Sequence, residues 1–334
     1  MDLQQNISLK AYNTFGIDVP AEYFIKLKDI ETLVEITSLP HQKHILGGGS
    51  NILLTQPVRG LVIHNELKGI AIIRENDEHV WLQVASGEIW HELVLFAVNK
   101  GLGGIENLAL IPGTAGASPM QNIGAYGVEA KETIESVTFW SWADRSFSTY
   151  ANEECAFGYR DSIFKQELKD KVFITSVVYK LNKHPQFNTS YGAIAQELER
   201  MGVKELSPAA IMNSVINIRI SKLPDPKQIG NAGSFFKNPT IAKVHFDILS
   251  CKYPGIPSYP VNEKMVKVPA GWLIEQCGWK GYKTGETGVH AKQALVLVNY
   301  GNAKGSDIWK LSDEILASVK ERFDIELERE VQAW

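Results

Sequence analysis

Apolar and polar positions alternate over Glu22–Leu27, take helical spacing over Asp29–Thr37, and run from an apolar strand into the sequence GGGSNILL between His44 and Leu54. Side chains that alternate belong to a strand with one face covered, and those recurring at three to four residues belong to a helix with one face covered. Gly60–Val84 adds the strand-like segments LVIH, IAIIRE and VWLQVA. From Gly87 to Lys100, Ile89, Leu93, Phe96 and Ala97 share a helical face, with Gly101 as the stop. Strands are predicted at Val137–Ser141 and Val172–Leu181, and helices near Ala193–Met201 and Pro208–Ile218.

The stretch SKLPDPKQIGNAG then breaks the pattern with proline, glycine and charge, and reads as a linker or domain entry. A second α/β segment covers Gly233–Asn299. Ser306–Phe323 is a helix with Ser306 as its cap and Ile308, Leu311, Ile315 and Val319 on one face. From Phe323 to Val331 the tail alternates, with Phe323, Ile325, Leu327 and Val331 opposite Asp324, Glu326, Glu328 and Glu330. That pattern predicts a half-buried strand.

One segment fits neither period. Asn107–Val128, NLALIPGTAGASPMQNIGAYGV, carries no charge and is broken by Gly113, Gly116, Gly124, Gly127, Pro112 and Pro119. A membrane helix would not tolerate those breaks or the amides of Gln121 and Asn122. Glycine allows the main chain positive φ and a close approach to a ligand, so the segment reads as a backbone shaped to lie against a large, neutral, buried cofactor ring.

Composition narrows the class. The chain has 334 residues and a formal net charge of -4, with a pI near 6.1. It is long enough for two or three domains and lacks the overall basic footprint of a nucleic-acid binder. Cys155, Cys251 and Cys277 are odd in number and form no CxxC, which fits a reducing cytoplasm rather than a disulfide framework. The first residues, MDLQQNISLKAYNTFGI, show no secretory signal. His41 and His44 form an HxxH without a third ligand nearby, so no metal is predicted.

Gly47-Gly48-Gly49-Ser50-Asn51 follows an apolar strand. Alone, such a run reads as a tight turn; its amides could also form an anion-binding concavity for a pyrophosphate. It is neither a GxGxxG nor a GxxxxGK[ST] loop.

These two segments, with GYRDSIFK, NAGSFFKNP, PAGWLIEQCGWKG and HAKQALVLVN, resemble the UDP-N-acetylenolpyruvoylglucosamine reductases, the MurB family, over essentially the whole chain and in the family's order. The resemblance implies an α+β fold: a two-part FAD-binding region of the vanillyl-alcohol-oxidase type, residues 1–67 and 68–218, and a smaller α/β substrate-binding domain, residues 219–302. Residues 303–334 would pack back towards the FAD site. It further implies a cytoplasmic monomer, with no nucleic-acid or membrane partner, which reduces UDP-N-acetylglucosamine enolpyruvate with NADPH through noncovalent FAD in peptidoglycan precursor synthesis.

By the same resemblance, Gly47, Gly49, Ser50 and Asn51 hold the FAD pyrophosphate, and Ile111, Pro112, Gly113, Ser118, Ile123 and Gly124 line the flavin. Arg160 matches the active-site arginine, Ser234 the proton donor, and Glu330, in the terminal LEREV, the acid that polarises substrate or assists the proton. Arg329 stands where many relatives have proline, which keeps Glu328 as a competing candidate. Tyr191, in TSYGAI, resembles the tyrosine of a substrate-covering loop in one branch of the family. Lys222, Asn238, Tyr259, Lys280 and Gln293 match positions that contact the uridine, diphosphate or nicotinamide nucleotide.

The chemistry requires such groups. Hydride addition to an enolpyruvyl ether drives charge onto its carboxylate, and the resulting enolate needs a cation and a positioned proton donor. Without the resemblance, Arg160 reads as a surface arginine beside Asp161, Ser234 as a turn serine, and Glu330 as one of several solvated acids. Two alternatives share the scaffold: a flavin oxidase passing electrons to oxygen, and a non-catalytic nucleotide-sugar binder that keeps flavin as a structural element.

Overall fold

The computed structural model describes residues 1–334, which divide into two compact units: residues 1–7, 21–48 and 59–221 in the first, and residues 8–20, 49–58 and 222–334 in the second. The fold mixes helices with separate sheets. No helix is long and apolar enough to cross a membrane.

The first unit has two larger sheets and the two-stranded pair Gly124–Ala125 and Val128–Glu129. One is four-stranded, in the order Gln4–Ser8, Pro20–Leu27, Val58–Asn65, Lys43–Leu46, and its last pair is parallel. The predicted helix follows at Ile30–Thr37, capped by the Asp29 side chain, which accepts from the Thr32 amide at 2.7 Å. Leu33 and Ile36 bury its apolar face against Ile25, Leu27, Leu61 and Ile63.

The other sheet is antiparallel with five strands, ordered Ser146–Ala151, Ile134–Ser141, Val172–Asn182, His79–Ala85, Ile70–Glu75. Its long central strand Val172–Asn182 packs apolar side chains on the helices Trp90–Asn99, Gly192–Arg200 and Pro208–Lys222. Trp90 is fully buried there; its indole N–H donates to the Leu108 carbonyl at 2.8 Å, and its ring meets Tyr179 edge-on at 5.7 Å. Ser146–Ala151 was not legible beforehand. SFSTYA is an edge strand whose side chains are mostly solvated, so it carries no clean alternation.

In the second unit, Gly230–Ser234, Val296–Asn299, Thr287–Val289 and Lys283–Thr284 form one sheet, and Thr240–Ala242, Met265–Lys267 and Tyr259–Pro260 another. The helices Lys243–Lys252, Ala270–Gln276 and Gly305–Phe323 accompany them.

Two expectations need correction. The stretch read as a linker or domain entry does hold the division between the units, at 221/222, and is structured at both ends: the helix runs on to Lys222, and a strand begins at Gly230. Pro224 and Pro226 interrupt only the turn between them. The last helix starts at Gly305, which makes Ser306 a residue inside it; the acid Asp307 accepts the Lys304 amide at 3.2 Å and does the capping. The tail keeps its alternating burial, but only Gln332–Ala333 forms a paired strand. Before it, extended backbone is held by two bonds, Lys237 N–H to the Glu328 carbonyl and Glu330 N–H to the Phe235 carbonyl, each 2.8 Å.

Candidate active site

In the first unit the glycine run and the uncharged loop meet. A Cβ added to Gly48 would lie 3.0 Å from the Gly113 Cα, and one on Gly47 would lie 3.0 Å from the Thr114 hydroxyl. The loop is drawn over the sheet and helix behind it by backbone bonds: Trp90 N–H to the Gly113 carbonyl, Ala115 N–H to Glu88, and Gly116 N–H to Ser86. Gly116 must be glycine for this, since its Cβ would fall 2.4 Å from that of Ser86. The amides of Gly47, Gly48, Gly113 and Thr114 have no acceptor within the protein. Orphaned donors on glycine-rich backbone suit an anionic group, and the half-buried Ile111 and Ile123 add apolar surface, so the residues present fit a flavin dinucleotide.

Ser118 is bonded within the protein. Its fully buried hydroxyl donates to the Ala115 carbonyl at 2.8 Å and lies 2.7 Å from the Tyr179 hydroxyl. These bonds let Ser118 hold the loop's shape. Pro112 is exposed, and Gly124 carries the Arg160 guanidinium, whose Nη1 would be 3.0 Å from an added Cβ. Nη2 of Arg160 donates to the Gly124 carbonyl at 2.6 Å. Arg160 itself adopts φ +54°, a left-handed conformation that costs a non-glycine residue on the order of 1 kcal/mol and persists only where surroundings enforce it.

Tyr191 is 42% exposed, and its ring meets that of Tyr126 edge-on at 5.2 Å. The segment before it is tied to the loop: the Asn107 amide donates to the carbonyls of Tyr126 and Asn188, and the Asn188 amide to that of Gly127. Burial holds the Tyr126 phenol above its ordinary pKa and the Arg219 guanidinium below its own. Asn107 and Tyr126 lie in the uncharged segment that carries the resemblance but had no role assigned there, and Arg219 lies outside every motif, with a polar side chain inside an apolar pattern as its only hint.

Glu106, just before the loop, is 3% exposed, and its carboxylate accepts the Gly104 amide at 2.5 Å. Burial raises its pKa above the ordinary 4.5. A raised folded-state pKa means stability that is fully present below the unfolded value and lost as pH rises through the folded one. Glu106→Gln keeps an acceptor oxygen and cannot ionise. It is therefore expected to raise the melting temperature at neutral pH, with the gain shrinking to nothing as pH falls towards 4.5, in paired thermal melts.

The second unit holds the remaining candidates. The Gly230–Ser234 strand skips register against Val296–Asn299 between Asn231 and Ser234, and Gly233 has φ +69°. This bulge turns Ser234 outwards, where it is exposed and its hydroxyl bonds nothing in the protein. At the next residue, the Glu330 amide is pinned to the Phe235 carbonyl, and the Asn51 side-chain amide donates to the Glu330 carbonyl at 3.3 Å. Ser234, Glu330 and Asn51 thus belong to one connected stretch. Glu328 pairs with the Lys237 ammonium and is 69% exposed. Arg329 turns to the last helix, where it bonds Ser312 and Asp313 and lies 3.9 Å over the Trp309 ring.

Gly49 has φ +60°, and the Thr14 amide donates to its carbonyl. Ser50 is half-buried. Asn238 accepts the Ala270 amide at 2.9 Å and starts that helix, and Lys280 pairs with Glu275 at 3.0 Å. Gln293 accepts the Leu295 amide at 3.4 Å, while Lys222 and Tyr259 stand exposed.

Residues 225–334 match the family model of the UDP-N-acetylenolpyruvoylglucosamine reductase C-terminal domain, and residues 21–144 match that of an FAD binding domain. A UDP-N-acetylenolpyruvoylglucosamine reductase of Flavobacterium johnsoniae is 51% identical over 334 residues, covering 99% of each chain. The chain belongs to the UDP-N-acetylenolpyruvoylglucosamine reductase family. Its relative from Amoebophilus asiaticus, with the same name, is 49% identical over 99% of both chains. The crystal structure of the Thermus caldophilus reductase superposes with a TM-score of 0.70 at 25% identity, covering 100% of this chain and 98% of that one. The α+β class and the FAD-binding region expected from the motifs are thereby established.

Proposed function

We propose that this chain is an FAD-dependent, NADPH-using reductase that converts UDP-N-acetylglucosamine enolpyruvate to UDP-N-acetylmuramate for peptidoglycan precursor synthesis. The observation that carries it is full-length identity of 51% to a reductase of that name. Bound FAD supplies the hydride relay between NADPH and the sugar. The chain's own residues supply binding and proton chemistry. Gly47, Gly49, Ser50 and Asn51 would offer amides and a hydroxyl to the pyrophosphate, and Ile111, Pro112, Gly113, Ser118, Ile123 and Gly124 would line the flat ring, the Ser118 hydroxyl also bracing the loop.

Arg160 grips the substrate carboxylate, for which a permanently charged, two-pronged guanidinium is suited as negative charge develops. Ser234 gives its proton to the enolate carbon; a hydroxyl is a weak acid, but the carbon is a strong base and position offsets the mismatch. Glu330 is taken as the assisting acid on its match to the family's terminal element, and Glu328, which pairs with Lys237, remains the competing candidate. Tyr191 covers bound sugar, and Lys222, Asn238, Tyr259, Lys280 and Gln293 receive the nucleotide. The same reading divides the chain into FAD-binding parts at 1–67 and 68–218 and a substrate part at 219–302, acting as a cytoplasmic monomer.

The test is spectral. Without oxygen, NADPH is expected to bleach the yellow FAD-loaded protein, and the enolpyruvyl sugar nucleotide to restore the colour. Recolouring by oxygen with no response to that sugar would replace the reading with an oxidase.

A further inference from the structure

The strained turn that bears Arg160 is not held by its own hydrogen bonds alone. Gly158 and Asp161 exchange backbone bonds of 3.0 and 3.4 Å across it, and the left-handed residue lies inside. What clamps it comes from the loop at Met120–Gly124. The Asn122 side-chain amide donates to the Gly158 carbonyl at 2.9 Å, and the Ser162 hydroxyl donates to the Met120 carbonyl at 2.7 Å.

Asn122 is fully buried, and its side chain is saturated. Its second N–H donates to the Glu129 carboxylate at 3.0 Å, and its oxygen accepts the Lys131 amide at 3.0 Å. Its backbone φ is +45°, a conformation that asparagine tolerates better than most residues. Its own carbonyl lies 3.5 Å from the Arg160 Nη1. One amide therefore fixes the turn behind Arg160, the acid beside it and the strand end that follows. Aspartate in its place could not donate to the Gly158 carbonyl or to the Glu129 carboxylate.

We propose that Asn122 is the positioning residue of Arg160, holding the guanidinium where it meets the substrate carboxylate while touching no substrate itself. The inference rests on the reading of Arg160 given above. Ser162 is the secondary anchor of the same turn.

The experiment is a double-mutant cycle on the FAD-loaded full chain, with the NADPH and sugar steps measured separately. Asn122→Ala is expected to slow the sugar step by ~100-fold, the scale of a small misplacement of a catalytic group, while NADPH reduction stays near wild type. In an Arg160→Ala background it should add little, because the group through which it acts is gone. Independently of turnover, phenylglyoxal should label Arg160 faster in Asn122→Ala than in wild type, read by peptide mass spectrometry. Should Asn122→Ala lose FAD or fail to fold, Ser162→Ala carries the same cycle with one bond to Met120 removed. An Arg160→Ala enzyme with full sugar reduction would overturn the reading of Arg160. A damaging Arg160→Ala joined to an Asn122 loss of equal size in both backgrounds, or unaltered labelling, would overturn the positioning role.

Discussion

Ser234→Ala is expected to leave NADPH-driven bleaching of the flavin at its wild-type rate and to slow recolouring by the sugar nucleotide ~10³-fold, within the range for losing a general acid. The selectivity follows from structure. The hydroxyl is exposed and bonded to nothing in the protein, so its removal leaves no buried group unsatisfied and no cavity. The bulge and the left-handed Gly233 that set its direction are backbone features and survive the change. Only the proton is lost. Single-turnover absorbance traces separate the two steps, and an unchanged sugar step would remove Ser234 from the reaction.

The second large effect is on the fold. Gly49→Ala is expected to destabilise by more than ~3 kcal/mol, or to prevent recovery of folded, FAD-retaining protein, because it combines a strained left-handed conformation with a backbone clash. The new Cβ would sit 2.0 Å from the Tyr12 carbonyl and 2.8 Å from the Asn13 Cα. That backbone cannot retreat. Buried Asn13 bonds the carbonyls of Leu9 and Ile17 and accepts the Ile17 amide. Gly16 provides the control: φ is +67°, but nothing lies within 4 Å of its missing Cβ. Gly16→Ala should therefore cost only ~1 kcal/mol, the conformational part. Denaturant melts of both variants give the comparison; equal costs would mean that contact with Tyr12 is unimportant.

The tail shows where local pattern and paired structure part. Phe323, Ile325, Leu327 and Val331 are buried as alternation demands, yet a ladder requires a partner with free amides at matching spacing. Only residues 332–333 find one, in Ile52–Leu53. Alternation reports which face is covered and is silent about what covers it.

Ser118 and Asn122 make the same point at the candidate site. Both were visible as polar residues in an apolar loop, and Ser118 was placed against the flavin by the family motif alone. Its hydroxyl also bonds Ala115 and Tyr179, the latter about sixty residues further along the chain. Asn122 had no role assigned within its motif, and although Glu129 and Lys131 lie close by in the chain, its partner at Gly158 is 36 residues away.

By itself the sequence determined most helices and strands, because periodic burial and glycine stops are local properties, and it determined the family, because six motifs occur in order. Tertiary structure alone decided which glycines touch backbone, which hydroxyls are already bonded, and that Glu328 pairs with Lys237. Those outcomes depend on distances between residues far apart in the chain, which no local pattern encodes.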